Sequence, residues 1–149
     1  MGISCVAVLC VHDEEAHLRR AIGDFVEQGI DVAIIDHGST DGTAEICSGF
    51  LGKGLVAIEH LPWTGEFDLT AQLRAKRDLI GRLGHDWVIH ADADEWMHTR
   101  LQGESLLAGI DRISRLGYNA VNFDEFVFLP QPGTVSEPAD CKRELLNYY

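Results

Sequence analysis

A chain of 149 residues with 46% hydrophobic content is long enough for one domain with a real core, and too apolar for a disordered segment. Its formal net charge of −12 disfavours nucleic acid, whose phosphates demand Lys and Arg, and disfavours a purely electrostatic grip on anionic lipid. No run of about 18 apolar residues occurs, so no transmembrane segment is expected. The first residues, MGISCVAVLCVHDEE, lack the basic leader of a signal peptide and run directly into strand-like sequence.

Ile3 to Val11 is an almost unbroken apolar run, as a central parallel strand covered on both faces requires. It stops at His12-Asp13-Glu14-Glu15, where Asp13 is expected to cap a helix and the glutamates suit its first turn. Leu18, Ala21, Ile22, Phe25 and Val26 then recur with helical period as one buried stripe, and Gly29 ends it. A second strand, Val32 to Ile35, stops at Asp36 and turns through Gly38 into Ser39, Thr40 and Asp41, any of which can cap a helix from about Thr43 to Phe50. A third strand follows over Leu55 to Glu59. The loop His60 to Phe67 reads first as a surface loop pinned by Trp63, with a pocket wall as the alternative. A third helix is expected from about Leu69 to Leu83, with Leu69, Leu73, Leu79, Ile80 and Leu83 inward and Arg74, Lys76 and Arg77 interspersed. The cysteines, Cys5, Cys10, Cys47 and Cys141, have no C-x-x-C spacing and read as small buried apolar residues in a reducing compartment.

The most informative stretch is Trp87-Val88-Ile89-His90-Ala91-Asp92-Ala93-Asp94-Glu95-Trp96, an apolar strand that ends abruptly in carboxylates. On an extended backbone Asp92 and Asp94 point to the same side and can share one cation. Hard oxygen ligands of this kind suit Mg²⁺ or Mn²⁺ bridging to substrate phosphates. His90 alternates with them, but zinc wants ligands converging from several elements, so a packed or supporting histidine is the better reading. Glu95 is expected to turn away and fix the loop. A fourth helix spans Ser105 to Leu116, with Leu106, Leu107, Ile110 and Ile113 inward. Asn119 to Leu129 is again strand-like, interrupted by Asp124-Glu125, and Pro130 to Pro138 is loop by composition.

Together, IIDHGSTDGT and VIHADADEW resemble the signature of family 2 glycosyltransferases, over roughly residues 3 to 129. The resemblance implies the GT-A fold, a Rossmann-like three-layer α/β/α sandwich with a mainly parallel central sheet, as a single nucleotide-sugar-binding domain over 1–149. It implies that Asp36 contacts the nucleotide base, that Asp94 ligates Mn²⁺ or Mg²⁺, and that Asp92 holds the ribose or a metal-bound water. VHDEEAHLRRAI stands where the family has a Pro-x-Asn-Glu-Glu-like turn, with Val11 in place of the proline and His12-Asp13 before the glutamates. Val11, His12 and Glu14 are carried over from it as nucleotide contacts. A basic residue, often in Ala-Arg-Asn, lies on the third helix in the family. Arg77 is the choice here for base or phosphate, with Arg74 as its substitute. The family's catalytic base is an Asp well beyond the D-x-D. Truncation of a longer protein at its C-terminal side is therefore the first expectation; the alternatives are that Asp124 or Glu125 serves as the base, or that this form has no transfer activity.

The expected activity is metal-assisted transfer of a sugar from a nucleotide diphosphate sugar to a saccharide, lipid or protein hydroxyl, with inversion. The expected location is cytoplasmic, peripheral to the inner face of a membrane if the acceptor is a lipid. A binding module that recognises a nucleotide sugar without transferring it is the alternative. A phosphatase would want its D-x-D after the first strand, and a nucleotidyltransferase a Gly-rich loop there, which VHDEEAHL does not supply.

Overall fold

The computed structural model describes residues 2–126. The chain divides into two compact units, Met1–Asn119 and Ala120–Tyr149, and every element described below belongs to the first. In order these are β1 (Cys5–Val11), α1 (Glu15–Glu27), β2 (Asp31–Asp36), α2 (Thr43–Phe50), β3 (Leu55–His60), α3 (Leu69–Ile80), β4 (Trp87–His90) and α4 (Leu106–Arg115). The strands form one parallel sheet in the order β3-β2-β1-β4.

Right-handed crossovers fix the layers. The chain steps from β1 to β2 to β3 in one direction, so α1 and α2 share a face. It then returns past β1 to β4, which puts α3 on the opposite face. The two cores show this division. Leu9, Val11 and Ile34 pack with Leu18, Ile22 and Phe25 of α1, Ile46 and Cys47 of α2, and Leu106 and Ile110 of α4. On the other side Val6, Val8, Ala33 and Ile35 meet Leu79 of α3. Each such aliphatic side chain contributes roughly 1.5–3 kcal/mol by leaving water, which explains why β1 needs apolar residues on both faces. The α/β/α sandwich with a parallel sheet is as the sequence implied.

Several expectations change in detail. Asp13 does not cap α1. Its backbone is left-handed, with φ 54°, and the helix begins at Glu15 after Glu14, whose own side chain does not cap it. Helix α3 stops at Ile80, where Gly81 closes it by donating to the Arg77 carbonyl. Leu69 and Leu73 are exposed rather than inward. Asn119 to Phe126 contains no strand, because Asp124-Glu125 breaks the apolar pattern that pairing on a sheet would need. Residues 127–149, including the rest of that segment, the Pro130 to Pro138 loop and Cys141, lie outside the described residues. Cys5, Cys10 and Cys47 are free thiols, each pushed up to about 11 chiefly by burial. Among the described residues no helix is long and apolar enough to cross a membrane.

Candidate active site

In the order β3-β2-β1-β4 the chain reverses direction between β1 and β4, and a parallel sheet binds ligands outside the carboxyl ends of its strands at such a switch point. A cleft of about 410 Å³ lies there. Cys10, His12 and Glu14 line it from the end of β1, and His90, Asp92 and Asp94 from the end of β4. Trp63 and Phe67 come from the loop before α3, and Leu69, Gln72, Leu73 and Lys76 from α3 itself. Register explains the pairing of the two strand ends. His90 lies opposite Val8, so Asp92, two residues on, comes level with Cys10.

The turns after β1 and β2 hold each other. Asp13 accepts from the Thr40 and Asp41 N–H groups at 2.6 and 3.3 Å, and its own N–H donates to Ser39 Oγ at 3.0 Å. The first N–H groups of α1 are capped across this seam, Glu14 donating to Thr43 Oγ1 and Glu15 to Asp41 Oδ2. In return the Gly42 N–H donates to Glu15 Oε2. His12 is fixed by its Nδ1, 2.8 Å from the His37 carbonyl oxygen, and its ring stacks on Trp63 with centroids 4.0 Å apart. Trp63 thus pins its loop and walls the cleft at once. Behind it, His37 is buried, with Nδ1 3.0 Å from Gln72 Nε2.

Lys76 is the residue that sequence reasoning passed over. Only 4% exposed, it carries its ammonium 3.0 Å from His90 Nε2, 3.4 Å from the Ala91 carbonyl and 4.0 Å from Asp92 Oδ1. Burial pulls its pKa below the ordinary lysine value, while Asp92 pushes the other way. Arg77, the expected basic contact, does not line the cleft. Its guanidinium is exposed and donates to its neighbour Asp78. Arg74 is exposed as well.

The acidic residues divide in the same way. Asp92 and Asp94 are exposed at the cleft. Glu95 folds back so that its carboxylate accepts from the Asp92 N–H at 3.3 Å, which closes the loop. Glu14 faces the same space, and its pKa is raised first by burial, then by Asp94, Asp41 and Asp92, with His17 opposing. Asp36 accepts from the Ser39 N–H at 2.9 Å and shapes the β2 turn rather than lining the cleft. Val11 is buried, and its carbonyl receives the His37 N–H. Asp124 and Glu125 belong to the second unit and are exposed.

Among the described residues no group of three or more His, Cys, Asp or Glu side chains forms a ready cation cage. Asp92 and Asp94 instead offer exposed carboxylate oxygens beside open space. That donor set fits a hard divalent ion that completes its shell with water and phosphate oxygens.

A parallel four-stranded sheet in the order β3-β2-β1-β4, with helices on both faces, defines a Rossmann-like α/β protein of the GT-A class. The sequence profile of Glycosyl transferase family 2 matches residues 6–125, and the chain belongs to that family. It is also similar to the lipopolysaccharide core biosynthesis glycosyltransferase LpsC of Rhizobium meliloti (strain 1021), with 29% identity over 109 residues. That match covers 71% of this chain but only 37% of the relative's length.

Proposed function

We propose that this chain binds a nucleotide diphosphate sugar in the β1–β4 cleft and serves transfer of its sugar, with inversion, to an acceptor hydroxyl. The carrying observation is the convergence of Lys76, Asp92, Asp94 and Glu14 on one cleft at the switch point of the sheet. Three carboxylates around one ammonium would repel a diphosphate unless a cation stood between them. Asp94 and Asp92 are the residues that would hold Mn²⁺ or Mg²⁺. When bound, the ion supplies Lewis-acid neutralisation of charge on the leaving diphosphate.

The chain's own groups do the rest. Lys76, rather than Arg77, presents a fixed positive charge to the phosphates, already desolvated and so worth more there than in water. The flat wall of His12 and Trp63 gives an aromatic base a surface to stack against. Glu14 and Gln72 face the same space with groups able to orient the ribose or the sugar. Asp36 reads the base only if the base reaches past that wall to the β2 turn. The acceptor oxygen attacks the anomeric carbon as the bond to the diphosphate oxygen breaks, and a general base takes the hydroxyl proton. Asp124 and Glu125, the base candidates of the sequence, belong to the second unit and do not line this cleft. The relative's role in lipopolysaccharide core biosynthesis makes a saccharide hydroxyl our first choice of acceptor.

Calorimetric titration with UDP, GDP and dTDP, each with Mn²⁺ and each with EDTA, tests the reading. Metal-dependent binding of one nucleotide is expected. Failure of all three under both conditions would overturn it.

A further inference from the structure

We infer that His90 is a positioning residue, which holds the Lys76 ammonium away from Asp92 and so keeps that carboxylate open to a cation. The inference rests on the proposed nucleotide-sugar site and concerns how its charges are kept apart.

The geometry is specific. Lys76 Nζ lies at hydrogen-bond distance from His90 Nε2, 3.0 Å, but 4.0 Å from Asp92 Oδ1. An ammonium would ordinarily close on a carboxylate so near, since charge-assisted pairs settle at about 2.7–2.9 Å. Here the nearest acceptor is an imidazole nitrogen. His90, the last residue of β4, and Asp92, just beyond the strand, both line the cleft, while Ile89 and Ala91 are buried in the core on the other side of the sheet. Helix α3 delivers Lys76 onto that same side. The Ala91 carbonyl, at 3.4 Å, is a second and longer tether.

The choice of a histidine has chemical content. A carboxylate at position 90 would also hold the lysine, but it would add a competing ligand beside Asp92 and Asp94. An apolar residue would leave a buried ammonium with Asp92 as its strongest remaining acceptor. A neutral imidazole accepts one hydrogen bond and adds no charge. His90 therefore separates two opposite charges that a substrate and its cation must both use.

The test titrates Mn²⁺ into full-length variants held at a saturating concentration of whichever of UDP, GDP or dTDP the wild type binds. His90→Ala is expected to raise the Mn²⁺ midpoint about tenfold, the size of one charge-assisted hydrogen bond that Lys76 would now make to Asp92. His90→Gln, whose side-chain oxygen can accept from the same ammonium, is expected to stay within about twofold of wild type. In a Lys76→Met background His90→Ala should no longer shift the midpoint, because the group it releases is gone. His90 is exposed, so His90→Ala and His90→Gln should unfold at the wild-type temperature. A shift that persists in Lys76→Met, or no shift in His90→Ala, overturns the inference while leaving nucleotide binding standing. Absence of nucleotide binding by the wild type would instead remove the function reading, and this inference with it.

Discussion

The Asp13 carboxylate accepts the Thr40 N–H at 2.6 Å while its own backbone sits in the left-handed region, φ 54°. One residue thus makes the sharp exit from β1 and ties it to the exit from β2. Asp and Asn are the non-glycine residues that enter this region most easily. Asp13→Ala loses the Thr40 and Asp41 bonds and meets the left-handed penalty together, so we expect about 2–3 kcal/mol of destabilisation in urea unfolding. Asp13→Asn keeps one acceptor oxygen and tolerates the backbone, and should lose only about 1 kcal/mol. Equal losses in the two variants would show that the charge, not the bond geometry, is what matters.

Gly38 carries the second turn against the Trp63 loop. It has φ 67°, and a Cβ there would stand 2.7 Å from Trp63 Cβ and 3.0 Å from Trp63 N. The obstacle is the Trp63 Cβ and the backbone that carries it, neither of which side-chain rotation moves. Gly38→Ala should cost about 2 kcal/mol or more, from strain and displacement together. It should also shift the tryptophan emission, because Trp63 must slide off His12. Loss of stability without that spectral change would mean that the loop is held elsewhere.

The organisation of the sheet was legible in the residues because burial on both faces leaves so clear a mark. Val6 to Leu9 and Val32 to Ile35 could only be central strands, and their acidic ends announced the cleft edge. Helix α3 misled for an instructive reason. The apolar period points Leu69 and Leu73 to a core, yet Leu69, Gln72, Leu73 and Lys76 fall at i, i+3, i+4 and i+7 and face the cleft as one stripe. Apolar residues on a helix point equally well to a core or to a ligand wall, and periodicity alone does not distinguish them. The same stripe excludes Arg77, one residue further and roughly 100° round the helix. Asp13, an aspartate before a helical stripe, points to a helix cap, because caps favour that residue. What it caps is the neighbouring turn, a contact 27 residues away that no local pattern reveals.

Asp86 provides a pH-dependent test of the β1–β4 seam. Its carboxylate accepts from both the N–H and the hydroxyl of Ser4, at 2.8 and 2.9 Å, and these bonds, the backbone one foremost, lower its pKa from the usual 3.8. The folded state therefore binds its proton less readily than the unfolded chain. The stabilisation is complete above the unfolded pKa and is lost as pH falls through the lower folded value. Asp86→Asn should lower the unfolding midpoint at pH 7 and flatten the acid limb between about pH 5 and 2. An unchanged acid limb would assign that titration to other carboxylates.

Lys76 separates binding from stability by sign. Its ammonium is buried on α3 with an imidazole and a carbonyl as its close partners, and desolvation of such a charge is costly. Lys76→Met replaces it with an apolar chain of similar length, so thermal stability should hold or rise by a few degrees. Nucleotide diphosphate affinity should nevertheless fall about thirtyfold, as expected when a desolvated cation facing phosphate is removed. Arg77→Ala, on the exposed side of the same helix, should change affinity by less than about twofold. Asp92→Asn and Asp94→Asn should weaken the metal-dependent part of binding while leaving unfolding unchanged. Calorimetry with and without EDTA, run beside thermal melts, checks all four. Should Arg77→Ala weaken binding and Lys76→Met leave it intact, the phosphates would lie along the outer face of α3 and not in the β1–β4 cleft.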